Sequence, residues 1–354
     1  MDHLKQIAAK LADYGVDAMM LTSEPGEFYA VGFHGEGIVL VTAGESAYIT
    51  DSRYIESAEK TVRADRVLVV GQGKGYTALV NECLDRFGVQ TLGIEETYMS
   101  LASYQTYEKA LHAQLVPAGQ LALDLRAAKD EHEIDCMIKA QRIAERAFDE
   151  MLGFLKPGVT EREAAAKLTY DMLRFGGEKN SFDPIVVSGP NGSLPHGIPG
   201  DKPIQSGEFV TMDFGCKWGG YCSDMTRTVA VGRPTEEMVQ VYDLVLKAQQ
   251  AGIAASKAGV RGKDIDAAAR KVIEDGGYGP YFGHGYGHSL GLEIHEGPNA
   301  NSRDETPMPV GAVVSAEPGI YLPGRFGVRI EDVVVMDQDG CRDITLAPKE
   351  LIVL

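Results

Sequence analysis

Apolar and charged positions alternate with helical spacing over residues 2–14, and Gly15 is placed to stop that helix. The period then changes. Val16–Leu21 is a short apolar run of strand length, and Gly37–Val41 and Ala47–Thr50 flank the turn-forming stretch Thr42-Ala-Gly-Glu-Ser46, which predicts a hairpin. Helix and strand patterns then take turns: helix over Ser52–Thr61, strand over Arg66–Val70, helix over Tyr76–Phe87, strand over Thr91–Ile94, helix over Ser100–Leu111 and strand over Gln114–Val116. Such alternation predicts a small α/β domain.

A charged stretch, Asp124–Cys136, opens a long helix running to about Leu155. The domain boundary is placed in this region, giving domains of residues 1–122 and 123–354. Lys156-Pro157-Gly158 ends the helix, and Thr160 followed by Glu163 is a capping-box signature for the next. Strands follow over Phe182–Ser188, Phe209–Cys216 and Gly220–Val231, then helices over Glu236–Lys257 and Lys263–Glu274, then strands over Ala312–Ile320 and Gly327–Met336. Two helix–helix–strand–strand units in succession suggest an internally duplicated half. The fold class is therefore α/β in the broad α+β sense.

Composition narrows the function. The 354 residues are 44% hydrophobic and 24% charged, which excludes a disordered or collagenous chain. With 34 basic against 51 acidic residues, the formal charge of −17 disfavours nucleic acid and anionic membranes as partners. The five cysteines form no CxxC pair and are expected as free buried thiols in a reducing compartment. The N-terminal helix lacks a signal-peptide core, and no apolar run approaches the ~18 residues of a membrane span, so a soluble, cytoplasmic protein is expected. Gly71-Gln-Gly73-Lys-Gly75 follows a strand but fails the dinucleotide pattern GxGxxG at Tyr76. It is read as a turn that no helix follows at once.

The chemistry concentrates in the second domain. Asp213 sits inside the apolar run Val210-Thr-Met-Asp213-Phe, and Asp224 lies 11 positions on, beyond Gly219-Gly220. A hairpin turn at the two glycines would point both carboxylates to one face. Two buried anions repel unless a cation lies between them, although either acid alone could simply pair with Arg227. Next comes Gly283-His284-Gly-Tyr-Gly287-His288, followed by Gly291-Leu-Glu293-Ile-His295-Glu296-Gly297-Pro298. Three of the chain's 8 histidines thus cluster among glycines, which core packing does not require. Glu317 and Glu331 each interrupt a further apolar run; for Glu331 alone, a surface position paired with Arg329 is the alternative. Four acids and one histidine from separate strands form a hard, mostly oxygen donor set, suited to two divalent ions of the Mn, Co or Fe kind.

These motifs together resemble the pita-bread metallopeptidases, in the prolidase and aminopeptidase P branch. The likeness runs through Asn180–Gly189, Leu194-Pro-His196-Gly, Met212-Asp-Phe-Gly, Gly220–Thr228, His284-Gly-Tyr-Gly-His, Gly291–Glu296, Glu317-Pro-Gly-Ile-Tyr and Arg329-Ile-Glu-Asp. The first domain resembles a creatinase-type N-terminal domain through Asp51-Ser-Arg-Tyr54. The resemblance implies a pseudo-twofold pita-bread catalytic domain with two divalent ions per chain, Mn²⁺ first and Co²⁺, Fe²⁺ or Zn²⁺ as alternatives. It implies Asp213, Asp224, His288, Glu317 and Glu331 as ligands, with Asp213 chelating one ion, His288 and Glu317 binding the other, and Asp224 and Glu331 bridging. His196, His284 and His295 would face the substrate, with Tyr321 and Arg329 behind the ligands.

The implied reaction is hydrolysis of the Xaa–Pro bond at the N-terminus of dipeptides or short peptides by a hydroxide bridging the ions. His295 would hydrogen-bond the oxyanion and Glu317 would carry the proton to the leaving nitrogen. The implied assembly is a homodimer, and the implied partners are short proline-containing peptides. Arg303 is the candidate to reach a dipeptide's carboxylate, which leaves dipeptidase and aminopeptidase P both open. Methionine aminopeptidases share the fold but usually lack the first domain. Creatinases, and inactive binding proteins of the same fold, would depart from a ligand and histidine set that is complete here.

Overall fold

The structure, a computed structural model, describes residues 2–354. It divides into two compact units, one up to Arg126 and one from Ala127 to Leu354. The first contains α1 (His3–Lys10), β1 (Ala18–Leu21), α2 (Glu24–Val31), β2 (Ile38–Thr42), β3 (Ser46–Thr50), α3 (Ile55–Thr61), β4 (Arg66–Val69), α4 (Tyr76–Phe87), β5 (Thr91–Ile94), α5 (Leu101–Ala110), β6 (Gln114–Pro117) and α6 (Gln120–Ala127). Its strands form one mixed six-stranded sheet in the order β4-β3-β2-β1-β5-β6. The hairpin β2–β3 is antiparallel, while β5 pairs parallel with β1 and β6. Met20, Leu40, Ile49, Leu92 and Ile94 pack from this sheet against Val80 and Leu84 of α4.

The sequence pattern predicted no element over α2, and one expectation in this unit needs correction. In the structure Ser23 caps the helix by accepting from Gly26 N–H, and Pro25 occupies the first turn, where its missing N–H costs nothing. At Gly71–Gly75 the backbone closes a tight turn between Gly71 and Lys74, and α4 begins directly afterwards at Tyr76.

The second unit starts with α7 (Glu131–Phe154) and α8 (Glu161–Arg174). Both carry reciprocal capping boxes, Asp130 with Glu133 and Thr160 with Glu163. Strands β7 (Lys179–Asn180), β8 (Ile185–Ser188), β9 (Glu208–Phe214), β10 (Cys216–Trp218), β11 (Tyr221–Cys222) and β12 (Met225–Val231) follow, then α9 (Glu236–Ala255) and α10 (Gly262–Asp275). The remainder is β13 (Gly287–Ser289), β14 (Glu296–Ala300), β15 (Val313–Ala316), β16 (Gly319–Leu322), β17 (Phe326–Arg329), β18 (Asp332–Met336) and β19 (Cys341–Asp343). The sheets run β12-β9-β8 and β14-β13-β15-β18-β19.

Each helix pair covers its own core. Phe148, Met151, Leu168 and Met172 of α7 and α8 bury Val210, Met212 and Phe214. Val241, Val245, Ile265 and Ile273 of α9 and α10 bury Val314, Val334 and Met336. The hairpin β9–β12 contributes to both cores, alternate residues facing opposite sides of the strand. The five thiols are free, four of them buried. No helix among the described residues is long and apolar enough to cross a membrane.

Candidate metal centre

The β9–β12 ladder places Asp213 opposite Thr226, not opposite Asp224. The expected cross-strand pairing of the two acids is therefore corrected. The turn at Gly219-Gly220 joins β10 to β11, and the chain kinks at Ser223-Asp224 before β12 resumes. Gly215 permits the kink: a Cβ there would lie 2.0 Å from the Ser223 carbonyl oxygen. The interruption leaves Asp224 outside the ladder, with its carboxylate beside the end of β9.

The second half supplies the facing wall. Bulged strand β13 carries His288, whose N–H donates to Ser315 Oγ on β15. Glu317 follows β15, and its backbone N–H donates to Tyr286 O. Glu331 lies between β17 and β18; its N–H donates to Thr226 O at 3.1 Å and its Oε2 accepts from Thr226 Oγ1 at 2.6 Å. All ten sequence candidates, Asp213, Asp224, His288, Glu317, Glu331, His196, His284, His295, Tyr321 and Arg329, line one cavity of about 410 Å³. Phe182, Ile185, Pro195, Ile294 and Asn301 complete its walls. Arg303 is exposed and outside that lining. Glu331 is 1% exposed, so the alternative of a surface position falls. Arg329 pairs instead with Asp213, at 2.7 Å, and Arg227 pairs with Asp332.

A chain of hydrogen bonds supports the acids from behind. Arg329 donates to Asp213 Oδ2, to Thr226 Oγ1 and to the Tyr321 hydroxyl. The Gly285 carbonyl can only accept, so His284 carries its proton on Nδ1 and takes the Tyr321 O–H at Nε2, 2.8 Å away. His288 has the same form. Its Nδ1 faces the Ser289 carbonyl, which turns the Nε2 lone pair towards Glu317 Oε1 at 3.3 Å and Asp224 Oδ2 at 3.7 Å.

Residues 135–338 match the metallopeptidase family M24, and residues 3–128 match the creatinase/prolidase N-terminal domain. The chain belongs to the M24 metallopeptidases. It is 41% identical to an uncharacterized peptidase, YqhT, of Bacillus subtilis, over 99% of both chains. It superposes on an Xaa-Pro dipeptidase from Bacillus anthracis with a TM-score of 0.96 at 39% identity, covering 99% of each chain. An X-Pro aminopeptidase from Thermotoga maritima gives a TM-score of 0.92 at 36% identity, covering 97% of this chain and 99% of that one.

The donors of this M24 site fit divalent cations on their own geometry. Asp224, His288 and Glu331 each offer one ligand atom within 4.8 Å of the others. Asp213 Oδ1, Asp224 Oδ1 and Glu331 Oε1 are buried with no hydrogen-bond partner. A buried carboxylate oxygen without a donor is costly, and three such oxygens beside an imidazole lone pair call for positive charge. Protonation is the alternative neutraliser, and the acids lean towards it. Burial, then the Glu331 charge, pushes Asp224 well above the usual carboxylate range; burial, then Glu317, does the same to Glu331. Burial pushes Glu317 up to about 7. Burial also lowers His288, keeping it a neutral donor, and lowers His284 to about 4. Oxygen donors with one imidazole suit Mn²⁺, Fe²⁺, Co²⁺ or Zn²⁺.

Thr226 and Ser315 carry the ligand-side hydrogen bonds, yet the sequence reading gave neither a role. Thr226 lies two positions after Asp224 in Ser-Asp-Met-Thr, where strand alternation could have marked it.

Proposed function

We propose that this chain is an Xaa-Pro exopeptidase that works with two divalent ions, Mn²⁺ foremost. The observation that carries the reading is the meeting of Asp224, His288 and Glu331 in the cavity that also holds His196, His284 and His295. Asp213, Asp224, His288, Glu317 and Glu331 would hold the ions. Bound there, the ions supply Lewis acidity and an activated water at neutral pH.

The chain's own residues do the rest. The nitrogen of an Xaa–Pro bond carries no hydrogen, so it leaves only when protonated. Glu317, its carboxylate 3.3 Å from His288 in the cavity, can take the proton of the attacking water and return it to that nitrogen. His295 lines the cavity with its ring 4.4 Å from that of His288, where its N–H can meet the developing oxyanion. Arg329, Tyr321 and His284 form the relay that fixes Asp213. Phe182, Ile185 and Ile294 give the proline ring an apolar wall and keep out bulk water. One of the bound ions would hold the substrate's free α-amine, which would restrict cleavage to the first residue. Short proline-containing peptides are the substrates, and the working form is a cytoplasmic homodimer.

The test is a digest of the stripped and Mn²⁺-reloaded protein with Ala-Pro, Ala-Pro-Ala and Ala-Ala-Ala, followed by mass spectrometry. Alanine should be released from a proline peptide and not from Ala-Ala-Ala. No cleavage of either proline peptide, with two ions per chain measured by elemental analysis, would refute the reading. Cleavage of the dipeptide alone would make the enzyme a dipeptidase; strong cleavage of the tripeptide would make it an aminopeptidase P.

A further inference from the structure

Lys129 and Glu296 form an ion pair at 3.0 Å whose side chains are 1% and 4% exposed. No step of the proposed reaction uses it. Glu296 opens β14 and directly follows Ile294 and His295, both of which line the cavity. Its second oxygen, Oε1, accepts from the N–H of Glu293 at 3.1 Å. The segment between β13 and β14 is thereby folded back on itself, with Gly291 N–H donating to Glu293 O at 2.9 Å. Lys217 Nζ donates to Leu292 O, and Cys222 N–H donates to Gly291 O at 2.7 Å. Gly291 has no room for a side chain: a Cβ would lie 2.8 Å from Glu296 Oε2 and 2.9 Å from Lys129 Cε. Lys129 is itself fixed, its N–H donating to Gly311 O at 2.9 Å.

A buried ion pair adds little net stability over a well-packed apolar pair, because both charges lose their water. It does select one conformation, since any other leaves a charge unpaired in the interior. The conformation selected here is the one that sets His295 on the cavity beside the His288 ring.

We propose that Lys129 and Glu296 are positioning residues that fix the Gly291–His295 segment, and through it the His295 imidazole, for the transition state. The inference rests on the Xaa-Pro reading for what His295 does, and on the structure alone for the clamp.

The test is a cycle on the Mn²⁺-loaded enzyme with an Ala-Pro peptide that the wild type cleaves. The apolar replacement Lys129→Met with Glu296→Leu should leave the melting temperature within a few degrees. It should lower kcat by about tenfold to a hundredfold, as expected for a misplaced catalytic group, with KM little changed. In a His295→Ala background the same replacement should cost less than about twofold, because the group it positions is gone. A loosened fold would instead cost the same factor in both backgrounds, and that result overturns the proposal, as does an unchanged kcat. Should the apolar pair fail to fold, Glu296→Gln runs the same cycle. A wild type that cleaves no Xaa-Pro peptide overturns the reaction, not the clamp. The clamp is then read by hydrogen exchange at the Gly291 and Cys222 amides, which donate to Glu293 O and Gly291 O and must quicken in the apolar pair; unchanged exchange there overturns it.

Discussion

Replacing Glu317 with Gln should remove most of one proton from the stoichiometry of metal loading at pH 6. The metal-free site holds Glu317 at about 7 because its carboxyl is buried among acids. Such a group is ~90% protonated at pH 6 and ~10% protonated at pH 8. A divalent ion needs the carboxylate, so loading at pH 6 must expel about 0.9 proton from this side chain alone, falling to about 0.1 at pH 8. Asp224, pushed upward by burial and the Glu331 charge, and Glu331, pushed upward by burial and the Glu317 charge, add to the release. The sign for affinity follows: apparent affinity rises with pH, and the slope of its logarithm equals the protons released. The sign for stability runs the other way in the metal-free protein. A carboxylate raised in the folded state contributes stability fully below the unfolded value near 4.3, and that contribution is lost as pH climbs towards 7. Metal should therefore raise the melting temperature more at pH 8 than at pH 5. Titration calorimetry in buffers of different ionisation enthalpy reads the proton count directly. Heats independent of the buffer at pH 6, or a proton count unchanged by Glu317→Gln, would refute the electrostatic account of the site.

Thr226→Val removes the donor to Glu331 Oε2 and the acceptor of Arg329 Nε while keeping the shape. It should weaken metal binding by about 10- to 100-fold, and a competition titration with a chelator checks this. Arg227→Met strips a fully buried guanidinium from Asp332 and from the carbonyls of Thr226, Glu331 and Ala347. Urea unfolding should show a loss of about 3 kcal/mol, the cost of orphaning buried carbonyls and of leaving Asp332 with Lys349 as its remaining cation; a loss below about 1 kcal/mol would be inconsistent with the burial. Thr160→Ala at the cap of α8 should cost only about 1 kcal/mol in the same assay and leave metal binding untouched.

The difference between those two variants mirrors what the sequence could reveal. The cap of α8 was legible because a capping box is local: Thr160 and Glu163 are three positions apart and their geometry follows from the helix itself. The acids of the cavity were legible for another reason. Asp213, Glu317 and Glu331 stand in apolar runs where a carboxylate is expensive, so each announces a compensating partner without naming it. What joins them depends on register, which no single strand encodes. Asp213 faces Thr226 and not Asp224 because the backbone kinks at Ser223, and the room for that kink comes from Gly215, eight positions earlier and in contact only once the hairpin has closed. The β13–β14 hairpin was missed on similar grounds. Its strands are three and five residues long, rich in glycine and interrupted by a bulge, so neither period nor propensity marks them. They persist because β13 pairs with both β14 and β15, and β15 lies more than 20 residues downstream in the chain. Electrostatic cost per residue is thus written into the local sequence, while the long-range contacts that offset it emerge only when separate strands are brought together. A reading that starts from misplaced charges therefore finds the candidate ligands first and the residues that hold them last.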